Sequence, residues 1–417
     1  MARRYSALAL VREGITGHKG WVRAWEAPEP RRRYDVLVIG GGGHGLATAY
    51  YLARTHGITN VAVIERGWLG GGNTGRNTTA IRSNYFYPES AALYDLGLRL
   101  YEGLSRELNY NLMVSQRGNL QLAHSLHDVD MGARLVNAMQ INGIDARWLG
   151  PEEVHSLVPI LNRGPAARYR VHGGIFQPRG ATARHDAVAW GYARAASRLG
   201  VHILQGCAVQ DILIEGGRCV GVRTPLGEIR AERVGMAVAG ASPALAAMAG
   251  FRLPISSYTL QACVSEPVKP VLNTTLISPP LGTYVSQSGK GEIVIGGALD
   301  RMPSYAQRGN LPVLSQVLSG LLEMFPDFRQ LRLMRQWGGT VDVTPDSSPI
   351  LGPSPLPGLF LNCGWGTGGF KAIPAGGTLL AHLLAHGSHH PISRPFDLDR
   401  FTTGRLIDEG AAAGIAH

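Results

Sequence analysis

The chain has 417 residues, of which 45% are hydrophobic and 17% charged, and its mean hydropathy is zero. This composition excludes a disordered or fibrous chain, and the length predicts about two to three domains. The net charge is +10, but the basic residues are scattered and the one cluster, 31–33, lacks interleaved aromatic residues, so the charge does not indicate a nucleic-acid surface.

The N-terminal segment 1–33 ends in the proline-flanked run PEPRRR and is predicted to form an arm outside the core. After it come an apolar strand (35–39), a glycine turn, an Ala-rich helix and a second apolar strand that ends at Glu65. This order is typical of a βαβ unit.

Further elements follow along the chain. Helical periodicity marks 89–108 and 185–200. Alternating apolar residues on either side of glycine turns predict β-hairpins at 209–224 and 283–297. The segment 359–387 is predicted to form a strand, a glycine-rich turn and a helix, as at the start of the chain.

These elements predict a discontinuous nucleotide-binding domain with a second domain inserted into it. The segments 34–90, 200–245 and 340–417 form the first domain in this prediction. The segments 91–199 and 246–339 form a substrate or interface domain that contains antiparallel sheet.

The glycine turn carries a dinucleotide-binding fingerprint. Gly40-x-Gly42-x-x-Gly45 follows a strand and opens a helix, and Glu65 ends the next strand twenty residues after the last glycine. In this pattern the helix N-terminus binds the pyrophosphate and the acid accepts hydrogen bonds from the ribose hydroxyls. A glycine triplet alone is often only a turn, but the full context predicts a dinucleotide cofactor without a 2′-phosphate.

The fingerprint does not separate NAD from FAD, because both contain the same ADP half. Two further glycine-rich stretches, 67–85 and 364–371, lie far apart in the sequence. A long flavin needs contacts from several such segments, whereas a typical NAD domain continues directly into further βαβ units. FAD is therefore favoured.

The four cysteines are widely spaced and form no C-x-x-C motif, so they indicate neither a disulfide framework nor a zinc site. We predict reduced thiols and no metal. Because no run approaches the ~18–20 apolar residues of a membrane span, a soluble, cytoplasmic protein is expected.

The most specific stretches are GHKGW (17–21), GGGGHGLATAYYLA (40–53), GGGNTGRNTT (70–79), RHDAVAWG (184–191), QWGGTVD (336–342), NCGWGTGGFK (362–371) and LIDEGAAAGIAH (406–417), and of these GHKGW and RHDAVAWG are more informative than the widespread glycine motifs. With them, nearly the whole chain resembles the D-amino-acid-oxidase-like FAD-dependent oxidoreductases, and within that family the β subunits of heterotetrameric sarcosine oxidases. The fold expected from the pattern and the resemblance is α/β with an α+β insertion: a Rossmann-type FAD-binding domain plus an antiparallel-sheet substrate domain.

The resemblance also implies how FAD is bound. Monomeric members of the family hold FAD covalently on a cysteine, and Gly339 stands at that position here, so non-covalent binding is expected. His44 is expected to contribute its backbone rather than act as an acid or base. The residues predicted to bind FAD, from the fingerprint and the resemblance together, are Gly40, Gly42, Gly43, His44, Gly45, Glu65, Asn73, Thr74, Thr78, Val209, Gly366, Gly368, Gly369 and Lys371.

Two cations are predicted to act in catalysis as ligands of a substrate carboxylate. Arg82 comes after the glycines of the stretch 67–85, Lys371 comes after those of the stretch 364–371, and both match carboxylate-binding positions of the resembled family. An amino-acid carboxylate beside a flavin needs charge-assisted donors, and Arg offers a two-pronged grip. A lone cation is more often a surface residue, but two flavin loops that each end in a cation favour the binding role.

His185 begins a predicted helix, and by pattern alone it is an N-terminal residue beside the capping-type Asp186. The resemblance instead implies that His185 carries a second flavin, FMN, bound covalently through its 8α-methyl group. A ring nitrogen that is neutral near pH 7 is a suitable nucleophile for that bond.

The activity that the resemblance implies is oxidative demethylation of sarcosine to glycine. FAD takes the electrons, which pass through FMN to O₂ and give hydrogen peroxide. The one-carbon unit passes to tetrahydrofolate bound by the α subunit, so the expected partners are α, γ and δ subunits. Three alternatives stay open: an oxidase or dehydrogenase of another secondary amine such as dimethylglycine, a cofactor-holding subunit with the chemistry elsewhere, and an NAD dehydrogenase.

Overall fold

The structure is a computed structural model that describes residues 6–19 and 23–407. Gly20 and Trp21 of the GHKGW stretch, and all of LIDEGAAAGIAH after Ile407, lie outside the described residues. The strands are β1 Arg33–Ile39, β2 Val61–Ile64, β3 Ala80–Ile81, β4 Ser115–Gln116, β5 Asn119–Ala123, β6 Arg147–Leu149, β7 Gly173–Gln177, β8 Ala181–Thr182, β9 His202–Leu204, β10 Asp211–Glu215, β11 Arg218–Thr224, β12 Gly227–Met236, β13 Ser256–Pro267, β14 Thr275–Ser278, β15 Thr283–Gln287, β16 Glu292–Leu299, β17 Leu333–Val343, β18 Ile350–Pro353 and β19 Leu359–Cys363.

The helices account for most of the remaining regular structure. The α-helices are α1 Ala7–Ile15, α2 Gly43–His56, α3 Pro88–Glu107, α4 Leu126–Ile141, α5 Pro151–Leu157, α6 His185–Arg198, α7 Ser242–Met248, α8 Leu311–Met324, α9 Ile373–His386 and α10 Arg400–Thr403. Short 3₁₀ helices include Asn73–Arg76, Gly366–Gly368 and Phe370–Ala372. No helix in the described ranges is both long and apolar enough to cross a membrane.

The first large sheet has a parallel centre in the order β19, β12, β1, β2, β9. β10 and β11 extend it antiparallel along the first half of β12, and β18 lies antiparallel to β19. The last four residues of β1 and all of β2 are buried, as expected for parallel strands with both faces covered. Helices α2, α6 and α9 pack on one face, and α7 packs on the other.

The second large sheet is mainly antiparallel, in the order β17, β13, β16, β15, β14, β5, β7, β6. Val285, Ile293 and Ile295 on its strands pack against Val317 and Leu321 of α8. A three-stranded sheet, β3-β8-β4, lies beside the second glycine stretch. The combination of a Rossmann-type parallel sheet and an antiparallel one confirms the predicted fold class.

The predicted elements form close to their expected bounds. The helices expected at 89–108 and 185–200 are α3 and α6. The first hairpin turns at Gly216 and Gly217, both with positive φ, and β15 and β16 form the second hairpin. The domain division stays a prediction; α6, which it assigns to the second domain, packs on α2 of the first.

The N-terminal arm is largely exposed in its described part. On α1, Leu8 and Ile15 are each 83% exposed. Further along the arm, Trp25 packs against the hydrophobic core beside α6, and the backbone N–H of Glu26 donates to Ser197 Oγ at 3.2 Å. The arm therefore packs on the parallel-sheet layer through the residues around Trp25 and Glu26.

The turn between β1 and α2 is closed by glycine backbones. A Cβ atom on Gly45 would lie 1.9 Å from the carbonyl oxygen of Gly40, and one on Gly40, whose φ is +110°, would lie 2.2 Å from the carbonyl oxygen of Ala237. Neither position has room for a side chain, because both neighbouring atoms belong to the backbone.

We predict that Gly45→Ala lowers the free energy of unfolding by about 1–3 kcal/mol, because the added methyl overlaps the Gly40 carbonyl. Denaturant unfolding measures the change. Gly103→Ala, at an exposed position of α3 with open space around it, is the control and should be neutral or stabilising by roughly 0.5–1 kcal/mol. Equal stability of the two variants would contradict the prediction.

Candidate active site

The first turn of α2 is open to an anion. Its N-cap, Gly42, has no side chain to accept hydrogen bonds from the first backbone N–H groups. Gly43 N–H donates to Thr74 Oγ1 at 2.9 Å, and a Cβ on Gly42 would lie 3.2 Å from the same oxygen. The turn and the second glycine stretch thus meet where a pyrophosphate binds in this fold, and these residues fit that group.

Glu65 lies at the end of β2, beside the turn. Its carboxylate oxygens accept hydrogen bonds from the backbone N–H groups of Gly41 and Gly67, both at 2.8 Å. The backbone N–H of Cys207 donates to the Glu65 carbonyl at 2.9 Å, which places the segment containing Val209 next to this strand end. The acid therefore sits where the ribose of an ADP group is recognised.

His44 connects the turn to the last glycine stretch. Its Nε2 donates to the carbonyl oxygen of Gly369 at 2.8 Å, and its ring packs on Trp365 with centroids 4.6 Å apart. Burial lowers the pKa of His44 to about 4, so the imidazole is neutral near pH 7. The side chain therefore holds two predicted FAD-binding segments together.

The second glycine stretch is held to the strands of the antiparallel sheet. Asn73 Nδ2 donates to the Thr340 carbonyl at 2.5 Å, and Trp337 Nε1 donates to the Arg76 carbonyl at 2.6 Å. The segment 73–76 therefore spans the space between the first turn of α2 and the antiparallel sheet.

Gly339 faces the same segment, since a Cβ there would lie 3.0 Å from Asn73 Oδ1. The position offers no thiol for a covalent flavin bond. The cysteines of the chain, Cys207, Cys219, Cys263 and Cys363, are all buried at other places.

Arg82 and Lys371 are brought together beside one tyrosine. Lys371 Nζ lies 3.2 Å from Tyr85 Oη, and Arg82 Cζ lies 4.9 Å from the centre of the Tyr85 ring. They are only 4% and 6% exposed, respectively, so neither is a surface cation. Burial and the positive charge of Arg82 hold the pKa of Lys371 well below its usual range.

Two aromatic residues beside these cations were not predicted from the sequence. Tyr85 and Tyr94 stack with ring centroids 3.9 Å apart, and Lys371 Nζ lies 5.7 Å and 5.8 Å from the two rings. Aromatic faces attract cations, so the rings partly compensate for the buried positive charge. Tyr85 lies at the end of the second glycine stretch, which was its only sequence signal, and Tyr94 is contributed by α3.

Asp342, near the end of β17, is a third residue that sequence reasoning missed. Its Oδ2 accepts from the backbone N–H of Gly364 at 2.5 Å. Burial raises the pKa of Asp342 to about 7. The residue is a positioning group for the last glycine stretch, because it holds that backbone and not the cations.

His185 begins α6 against the second glycine stretch. Its Nδ1 accepts from Asp186 N–H at 2.9 Å, and α6 packs against the 3₁₀ helix Asn73–Arg76. The side chain is 28% exposed, and burial of the rest lowers its pKa. A neutral, partly accessible imidazole thus lies next to a segment that contacts the first turn of α2.

The fold and these sites define the class of protein: the chain belongs to the FAD-dependent oxidoreductase family, whose model matches residues 35–383. It is 54% identical to sarcosine oxidase subunit beta of Rhodobacter capsulatus over 100% of both chains. It is 51% identical to sarcosine oxidase subunit beta of an Arthrobacter species, over 94% of this chain and 97% of the relative. The resemblance noted from the sequence is confirmed.

Solved structures agree with this assignment. L-proline dehydrogenase from P. horikoshii superposes with a TM-score of 0.84 at 27% identity, over 90% of this chain and 100% of that one. Glycine oxidase from Geobacillus kaustophilus has a TM-score of 0.79 at 23% identity, over 89% of this chain and 99% of that one, and shows the shared fold alone. The cofactor is FAD, and the NAD dehydrogenase alternative is wrong.

We predict that a small carboxylate such as acetate binds the FAD-loaded protein less tightly as the pH rises through the pKa of Lys371. Below that pKa both cations are charged; above it the ammonium loses its proton and affinity falls about tenfold, the scale of one charge-assisted hydrogen bond. The absorbance of the bound flavin reports binding.

Two variants test this pH dependence. Lys371→Met should abolish the fall in acetate affinity with rising pH and should bind acetate as weakly at low pH as the parent does at high pH. Lys290→Met, in an exposed turn, should keep the parent profile. If Lys371→Met also keeps that profile, Lys371 is not the titrating ligand.

Proposed function

We propose that this chain is the amine-oxidising subunit of a sarcosine oxidase. The observation that carries the proposal is the buried pair Arg82 and Lys371, which converge on Tyr85 between two of the glycine stretches. The full-length similarity to subunits of that name supports the choice of substrate. FAD supplies the redox chemistry when bound, by accepting a hydride from the N-methyl carbon of sarcosine.

The chain's own groups hold and orient the substrate. The Arg82 guanidinium and the Lys371 ammonium bind its carboxylate, whose negative charge offsets two like charges buried side by side. The rings of Tyr85 and Tyr94 form an apolar wall next to that position. A carboxylate fixed at one end leaves a short amino acid little freedom, so its methyl group is presented in one orientation.

FAD is held, in this proposal, by the residues predicted from the sequence. The first turn of α2 and Thr74 bind the pyrophosphate, and Glu65 and the Val209 segment bind the adenosine half. The isoalloxazine end is held by the last glycine stretch together with Asn73, Thr78 and Lys371. The support is that hydrogen bonds link these segments directly: Gly43 to Thr74, His44 to Gly369, and Asn73 to the strand that leads to Asp342.

We predict that Arg82→Met lowers kcat/KM for sarcosine about 10- to 100-fold, mainly through KM, because one charge-assisted interaction with the carboxylate is lost. Arg147→Met is the control, since Arg147 also lies over an aromatic ring, 5.3 Å from the centre of Phe176, but is exposed. Steady-state kinetics measure both variants.

The same assay separates the alternatives. Unchanged kinetics in Arg82→Met would contradict the carboxylate site and favour a cofactor-holding subunit with the chemistry elsewhere. A clear preference of the parent protein for dimethylglycine or proline over sarcosine would overturn the substrate assignment.

We infer that His185 carries FMN covalently at a boundary with a partner subunit. The neutral, partly exposed ring supports this role. Two large exposed aromatic residues, Trp68 and Trp190, lie on the adjoining segments and are 67% and 41% exposed. Such side chains are common at protein interfaces.

The assembly that we propose contains this chain with α, γ and δ subunits. Electrons from sarcosine reach FMN and then O₂, which is reduced to hydrogen peroxide. The one-carbon unit is taken by tetrahydrofolate in the α subunit. The subunit designation of the similar proteins supports a multi-subunit complex.

We predict that protein co-expressed with its partners and then denatured in acid yields flavin in both pellet and supernatant, with an FMN mass on the His185 peptide. His185→Asn should lose the pelleted flavin and keep the soluble FAD, while His172→Asn, at an exposed site, should keep both. If all flavin is released from the parent protein and His185 is unmodified, the two-flavin proposal is overturned.

A further inference from the structure

Three histidines from two helices meet at one end of the parallel-sheet layer. His56 is the last residue of α2, and His382 and His386 lie four residues apart in the last turns of α9. Their potential ligand atoms all lie within 4.8 Å of one another. The ring centroids are 4.5 Å apart for His382 and His386 and 5.1 Å apart for His56 and His386.

The packing of α2 on α9 fixes this cluster. A Cβ on Gly377 would lie 2.4 Å from Ala47 Cβ, so the helix backbones approach closely. Both helices begin at the flavin-binding loops and both end at a glycine in the left-handed conformation, Gly57 and Gly387. The two C-termini are therefore neighbours, and the partial negative charge of each helix end favours a cation there.

The imidazoles suit a transition-metal ion. His residues at i and i+4 share one face of a helix, and a third from the adjacent helix completes a three-nitrogen set. Imidazole nitrogen is a good ligand for Zn²⁺, Cu²⁺ and Ni²⁺. His56 and His382 have pKa values lowered by burial and by neighbouring imidazoles, which keeps them in the neutral, ligating form.

We propose that His56, His382 and His386 form a binding site for a divalent transition-metal ion, with Zn²⁺ as the physiological candidate. The ion joins the C-termini of α2 and α9. Each helix has 14 residues, so the site lies about 20 Å from the flavin-binding ends and acts on stability rather than on the redox reaction. This proposal departs from the sequence-based prediction of no metal, which rested on cysteine spacing.

The test uses the purified protein with its co-purifying subunits after removal of metals by a chelator. Calorimetric titration with Zn²⁺ should give one high-affinity ion per chain that is lost in His382→Ala. Titration with Co²⁺ should give the visible absorbance of a low-coordinate nitrogen site, which non-specific surface binding does not give. Zn²⁺ should also raise the thermal midpoint of the parent and not that of the variant.

Control variants make the result specific to this cluster. His386→Gln, at an exposed helix end, weakens binding at least tenfold and provides a second test if His382→Ala fails to fold. His127→Ala, at an exposed position of α4, should bind Zn²⁺ like the parent. No saturable binding by the parent protein, or undiminished binding by folded His382→Ala or His386→Gln, would overturn the proposal.

Discussion

The close approach of backbones at the β1–α2 turn is the constraint on which the site depends. The backbone of Gly40 packs against Ala237, which directly follows β12, and Gly45 packs against Gly40. The ends of β1 and β12 and the start of α2 therefore lie in close contact. The close approach continues outward, because Gly377 lets the backbone of α9 pack closely on Ala47 of α2. Lys371 comes just before α9, so the packing of α9 on α2 fixes where Lys371 lies relative to the dinucleotide-binding turn.

Two buried sites contain basic side chains, and they differ in whether a carboxylate of the chain neutralises them. Arg400 and Asp346 form a buried ion pair, with Nε 2.7 Å and Nη2 2.9 Å from the carboxylate oxygens, and this pair holds the C-terminal segment on the body. Arg82 and Lys371 are instead two basic side chains buried side by side, with Asn84 and Tyr85 among their hydrogen-bond acceptors. Burial of two charged cations together costs free energy, which the carboxylate of the substrate would offset in the role that we propose for this pair.

Local sequence pattern accounts for the parts of the site that are built from contiguous segments. The fingerprint, both hairpins and the strand–turn–helix around Lys371 are each encoded within about thirty residues, where periodicity and glycine spacing are informative. Tyr94 and Asp342 escaped prediction because their roles arise from tertiary contacts. Tyr94 looks like an ordinary core residue of α3, and the carboxyl of Asp342 becomes a backbone acceptor only where the end of β17 meets the last glycine stretch. The histidine cluster combines His56 with the i, i+4 pair His382 and His386 on a helix near the other end of the chain, and no spacing rule connects the two helices.

The short 3₁₀ helix Asn73–Arg76 gives the two proposed flavin sites a physical connection. Thr74 accepts from Gly43 at the start of α2, and the same 3₁₀ helix packs against α6, which begins at His185. One short turn therefore contacts the pyrophosphate end of one proposed site and the helix that carries the attachment point of the other. Because Asn73 also binds Thr340, this turn is tied to the antiparallel sheet as well. Because this segment is only four residues long, its backbone links the positions of the two proposed flavin sites and of the antiparallel sheet.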